Sequence, residues 1–252
     1  MLRRFRTLII CALALLHTSL AAQAVGNAGV QIAAPALTTR KIRPGDGSER
    51  DPAFARVRQA ILSAARRNDL DAVVRHFAPQ TRCYTEVGRV NEEGIMTAEA
   101  CAAKLRADPA EARDFLSSLQ HALEIGTAFD QGMIVAPFVA VAGDVILSLP
   151  EIPGRYWVVA ADRVRARSAP SSRAPVVEVL SYDIVATVAA DADATPGAKG
   201  DACDAWVQIV TPTKREAWIC GKYTASPLED TRFVFQRQPD GEWKLTAVYV
   251  PD

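Results

Sequence analysis

The side chains in this sequence that could do covalent or acid–base chemistry are few and scattered. Beyond residue 24 it has four cysteines (Cys83, Cys101, Cys203, Cys220) and two histidines (His76, His121). A cysteine nucleophile needs a thiolate with a histidine partner, and here every such cysteine has a candidate disulfide partner. A zinc hydrolase needs clustered His and Glu ligands, and structural zinc needs close C-x-x-C or H-x-x-x-H spacing; neither occurs. Paired carboxylates could hydrolyse glycans. Glu92-Glu93 is the one adjacent pair in the first half, and it runs into Gly94, which reads as a solvated turn. Gly-rich phosphate loops and a G-x-S-x-G elbow are absent. The expectation is no catalytic residue, metal or cofactor. If the first half is a hydrolase after all, Glu92, Glu93, His76 and Asp130 are the residues to test.

The aromatic side chains are better placed for binding. Trp206, Trp218, Tyr223 and Trp243 fall in the C-terminal third. Aromatic grooves accept extended peptides, and aromatics equally fill small cores. Trp206, Trp218 and Tyr223 are the candidate ligand-binding residues. The cysteines fit an oxidising compartment. Four of them allow three pairings; Cys83–Cys101 and Cys203–Cys220 are favoured because each pair lies inside one candidate domain. Each closes a loop of roughly 15–20 residues, worth about 3 kcal/mol in the chain-entropy model.

The beginning of the chain says where it goes. Met1-Leu2-Arg3-Arg4-Phe5-Arg6 is cationic, an apolar run extends from Leu8 to about Leu20, and Ala22-Gln23-Ala24 supplies small residues for cleavage. Residues 1–24 read as a secretory signal peptide. The apolar run is short for a permanent span, which needs about 20 residues. The whole chain carries 29 basic and 29 acidic residues. Removing Arg3, Arg4 and Arg6 leaves 26 against 29, a net charge of −3. That balance argues against nucleic acid and anionic membranes as partners. No later stretch is long enough to cross a membrane. The expected location is the periplasm, with secretion as the alternative.

Residues 25–50 lack an apolar period and read as a flexible linker. Asp51-Pro52 then makes a helix start, with Phe54, Val57, Ile61 and Ala64 on one face. A second short helix covers Leu70, Val73, Val74 and Phe77. Residues 84–87 suggest a strand, 97–106 and 109–123 two more helices, and 133–141 and 145–149 buried strands. Pro150, Pro153 and Gly154 mark a boundary. After it come short β-type runs at 156–160, 164–167, 176–180, 184–188, 206–210, 217–220, 232–236 and 243–250. The last two flank Pro239-Asp240-Gly241, a strong hairpin turn.

Residues 164–177 read Val-Arg-Ala-Arg-Ser-Ala-Pro-Ser-Ser-Arg-Ala-Pro-Val-Val, followed by Leu180. This resembles the opening of bacterial Src-homology-3-type domains, with Arg167, Ser168, Pro170, Ser171, Val176 and Leu180 in register. Trp206-Val207-Gln208-Ile209 resembles the family's Trp-x-x-Val strand. Trp218-Ile219 with Gly221-Lys222-Tyr223 resembles its closing segment. The resemblance covers about residues 158–227. Arg165 stands where Asn is usual, Ala169 and Ala217 replace glycines, and residues 189–205 form a long insertion. Phrases at 126–130, 136–139 and 241–247 resemble uncharacterised periplasmic proteins that carry such domains.

The resulting expectation is an α+β protein. Residues 51–150 form a mixed helix/strand domain, 156–227 a small Src-homology-3-type β-barrel, and 228–252 a C-terminal hairpin packed on the fold. Functionally it reads as an exported binding or scaffold protein without enzymatic activity, its barrel recognising peptidoglycan peptides or an envelope protein. Two alternatives stay open: a hydrolase site in residues 51–150 with the barrel as targeting module, and a structural barrel with no ligand.

Overall fold

The structure, a computed structural model, describes residues 41–44, 51–86, 94–149, 156–188 and 194–251. Residues 1–24, expected to be a signal peptide, and the Glu92-Glu93 pair lie outside the described residues. The helix expected at Asp51 is α1 (Pro52–Arg66). The Asp51 carboxylate accepts from the Ala53 and Phe54 amides at 2.8 and 3.1 Å, satisfying two donors that the helix cannot pair itself. Its other oxygen accepts the Trp243 indole N–H at 3.1 Å. Burial works to raise the Asp51 pKa, but the bonds from Phe54, Trp243 and Ala53 outweigh it and hold the carboxyl below its usual range. One residue thus starts a helix and ties it to the far end of the chain.

After α1 come α2 (Leu70–Val74), β1 (Phe77–Glu86), β2 (Ile95–Thr97), α3 (Ala98–Ala107), α4 (Pro109–Ile125), β3 (Ala128–Asp130) and β4 (Met133–Ala136). β1 begins earlier than expected and runs through Pro79. The ladder shifts register between Phe77 and Arg82, the kind of irregularity that tolerates a residue without an N–H. The run expected as strand over 133–141 stops at Ala136, because Pro137 cannot extend the ladder. A 3-10 turn (Phe138–Ala142) and α5 (Gly143–Leu147) follow. Phe138, Val139 and Ile146 are fully buried there, and in so short an apolar run periodicity cannot separate buried helix from buried strand.

The first sheet has the order β2-β1-β14-β13-β4-β3, with β13 (Arg232–Arg237) and β14 (Trp243–Val250) at its centre. The terminal hairpin therefore does more than pack on the fold. β14 pairs parallel to β1 and β13 antiparallel to β4. Gly241, with φ of +88°, turns the hairpin. Helices α1, α3 and α4 cover one face of this sheet. Phe54, Ile61, Leu105, Phe115, Leu119 and Leu123 bury against Phe233, Phe235, Leu245 and Val248. Phe54 meets Phe235 and Trp243 edge-on, with centroids 5.3 and 5.7 Å apart. The Cys83–Cys101 disulfide fastens β1 to α3.

The second sheet holds β5 (Tyr156–Val159), β6 (Val164–Arg167), β7 (Val176–Leu180), β8 (Ile184–Thr187), β9 (Thr195–Pro196), β10 (Ala205–Val210), β11 (Glu216–Cys220) and β12 (Thr224–Ala225). Its order is β12-β5-β8-β10-β11-β6-β7, with β9 added to β10. This corrects the expected closed barrel: among the described strands the pairing path is open, ending at β12 and β7. One face still gathers into a single core, with Val159, Val164, Leu180, Val185, Ile209 and Ile219 in one cluster. The opposite face of β5 and β8 is buried too, where Tyr156, Val158, Ile184 and Ala186 pack on Phe138, Val139 and Ile146. The first half thus covers the face of β5 and β8 that the sheet's own core does not.

Part of the expected linker is not free. Lys41 pairs with Asp183 at 2.8 Å, the Ile42 amide donates to Tyr182 O at 2.9 Å, and the Ile42 side chain joins the core behind β5 and β8.

Candidate functional site

Three short pieces of the second sheet meet around one groove of about 510 Å³. β6 and the residue before it contribute Arg163, Arg165 and Arg167; β10 contributes Trp206; and the 3-10 turn Gly221–Tyr223 after β11 contributes Lys222 and Tyr223. Alternation along a strand places Arg165 and Arg167 on the same side. Four cations and one carboxylate, Asp162, line the groove. Among the described residues, neither Arg163 nor Arg165 has a salt-bridge partner. Arg167 donates to Ala174 O at 2.6 Å, within the β6–β7 hairpin. Lys222 Nζ lies 5.1 Å from the Tyr223 ring centroid, within cation–π range.

The rim of the groove is fastened. Asp201 accepts from the Ser172 amide at 2.9 Å and the Cys203 amide at 3.0 Å, joining the hairpin tip to the segment before β10. The Ser172 bond is the main reason its carboxyl sits below the usual range. Cys203–Cys220 bonds the same segment to the end of β11, with Cα atoms 5.7 Å apart. Gly197 donates to Asp204 O at 2.7 Å, and a Cβ on Gly197 would stand 1.9 Å from Cys203 O. That close approach requires glycine.

Trp206 is 2% exposed, and its indole N–H is buried without a hydrogen-bond partner. Leaving such a donor unpaired costs about 1–3 kcal/mol. Tyr223 is 38% exposed, so its ring can be reached from solvent. Two of the three sequence-predicted aromatics are thus brought together. The third, Trp218, does not line the groove. It lies opposite Gln208 and Arg167 on the neighbouring strands, on the same face of the sheet as Arg167, and packs against Trp206 and the Cys203–Cys220 disulfide. Sequence reading missed the cations. Arg165 registered only as a departure from a family pattern, although the Arg-x-Arg-x-Arg alternation was visible from Arg163 onwards.

Of the four candidates for hydrolysis, the two among the described residues, His76 and Asp130, are not brought together. His76 precedes β1, and Asp130 lies on β3, four strands away in the sheet order, or about 19 Å at the usual strand spacing. Burial first, then Lys244 and Arg75, lower the His76 pKa. His121, on α4, is lowered by burial, with a bond to the Thr224 backbone and the charge of Glu124 opposing. A second cleft brings Tyr84 together with Asp108, Glu111 and Asp114. Burial, then Glu111 and Asp114, push the Tyr84 phenol up, so it stays protonated.

No protein-family model, curated protein or solved structure matches this chain. The site therefore stands on its own geometry. Two disulfides fit an oxidising compartment, and among the described residues no helix is long and apolar enough to cross a membrane.

Proposed function

We propose that this is an exported, non-enzymatic binding protein of the bacterial envelope, resident in the periplasm, and that its second sheet is a Src-homology-3-type module whose groove receives a peptide of the cell wall. The observation that carries the reading is the meeting of Trp206 and Tyr223 in one groove, at the places where the sequence resembles that family. The neighbour order β12-β5-β8-β10-β11, with a 3-10 turn leading into β12, supports it. Two disulfides and the cationic-apolar leader support export. Residues 51–149 and the terminal hairpin carry the module, and the module's ligand groove lies apart from the face they cover.

The test is co-sedimentation of residues 25–252 with purified peptidoglycan, beside Tyr223→Ala. Tyr223 is partly exposed, so its loss leaves the fold intact by thermal melt. The expected result is sedimentation of the wild type and at least a tenfold loss in the variant. A wild type that stays in the supernatant contradicts the cell-wall reading.

A further inference from the structure

The groove's charge narrows what it can hold. Peptide grooves lined by carboxylates select basic ligands, and this one has the opposite lining: Arg163, Arg165, Arg167 and Lys222 against Asp162 alone. The protein beyond its leader is net acidic, so this concentration of positive charge is local. Arg163 and Arg165 have no ion-pair partner among the described residues. Crowded cations without counter-charges repel one another, and an anion entering between them relieves that repulsion. Arginine also presents a planar fork that matches a carboxylate. The bonds of Asp201 and the Cys203–Cys220 disulfide fix the backbone of the rim around these groups. A volume of about 510 Å³ is that of a small-ligand site, so it suits a peptide of a few residues rather than a long protein segment.

From this lining we infer that the groove selects short peptides bearing free carboxylates, and that its occupant is a wall stem peptide with its acidic groups unmodified. This rests on the reading that the groove binds a wall peptide. The ligand's carboxylates meet Arg163 and Arg165, and its backbone lies over Tyr223. Trp206 also lines the groove, and its indole N–H, buried without a partner among the described residues, donates to an oxygen of the ligand.

The experiment is calorimetric titration of residues 25–252 with three probes. These are a synthetic alanyl-glutamyl-diaminopimelate tripeptide with free carboxylates, the same tripeptide with its carboxylates amidated, and a capped twelve-residue Glu/Asp peptide. Each is measured at low and at physiological salt, with wild type and with Arg165→Gln. Arg165 is exposed and has no salt-bridge partner among the described residues, so the variant folds. The expected result is at least tenfold tighter binding of the free acid than of the amide. Arg165→Gln removes most of that difference, and salt weakens the acid more than the amide. Equal affinity for acid and amide overturns the selectivity, although the groove remains a peptide site. Tenfold preference for the long acidic peptide overturns the wall peptide as occupant. Failure of all three, together with failure to sediment with peptidoglycan, overturns the binding reading itself.

Discussion

At the residue scale, single side chains hold together parts distant in sequence, and each can be tested alone. Gly197 leaves no room for a Cβ beside Cys203 O. Gly197→Ala is expected to loosen the segment before β10 and cut ligand affinity several-fold while the main melting transition moves little. An unchanged affinity would show that this clasp does not shape the groove. Asp230 is a different case. Burial pushes its carboxyl up to about 6, against a bond from the Ser226 amide, with Glu229 adding to the rise. Between its unfolded value of 3.8 and about 6 the folded state keeps a proton that the unfolded chain has lost. Stability from this group therefore falls as pH rises through that window, and the penalty is complete above it. Asp230→Asn keeps an acceptor for Ser226 without the charge. It is expected to stabilise the protein by about 3 kcal/mol at pH 7.5, the value of a pKa rise from 3.8 to about 6, and by almost nothing at pH 3.5, as read by denaturant melts. An equal gain at both pH values would mean that Asp230 is not charged at the cost of stability.

At the element scale, what the sequence shows is local and what it hides is long-range. The α1 start is legible because Asp51-Pro52 acts within one turn. The 239–241 hairpin and the eight β-type runs are legible for the same reason, and domain membership was enough to favour the two disulfides. The parts of 133–141 and 145–149 that fold as a 3-10 turn and α5 were misread as strand because so short an apolar run carries no period that separates buried helix from buried strand. The groove could be only half read. Trp206 and Tyr223 are marked by type, but their meeting with Arg163 and Arg165 depends on which strands neighbour which, and no local pattern carries that. The Cys203–Cys220 bond belongs to this scale as well. It closes a separation of 17 residues, and replacing both cysteines by serine is expected to lower stability by about 3 kcal/mol. A loss below about 0.5 kcal/mol in chemical denaturation would mean that the clasp is held by Asp201 and packing instead.

At the scale of the whole molecule, the chain leaves the first sheet after α5, builds the second sheet, and returns to complete the first. Phe233, Phe235, Leu245 and Val248 of the returning hairpin are core residues for α1, α3 and α4. A chain ending at residue 227 would leave those helices facing water along a sheet without its two central strands. It is expected to lose the cooperative melt and the near-ultraviolet signal of the first half. A native-like melt of residues 25–227 would show that the first half folds without the hairpin. The second sheet rests on the first half through its β5–β8 pair, which packs on Phe138, Val139 and Ile146.

The most direct test of the ligand groove is a nitrogen–proton NMR titration of the labelled protein with the stem tripeptide. The account predicts that the largest shifts fall on the Trp206 indole N–H, on the amides of residues 163–167 and on Lys222–Tyr223. Saturable shifts confined to the cleft of Tyr84, Asp108, Glu111 and Asp114, with the Trp206 signal unmoved, would contradict it.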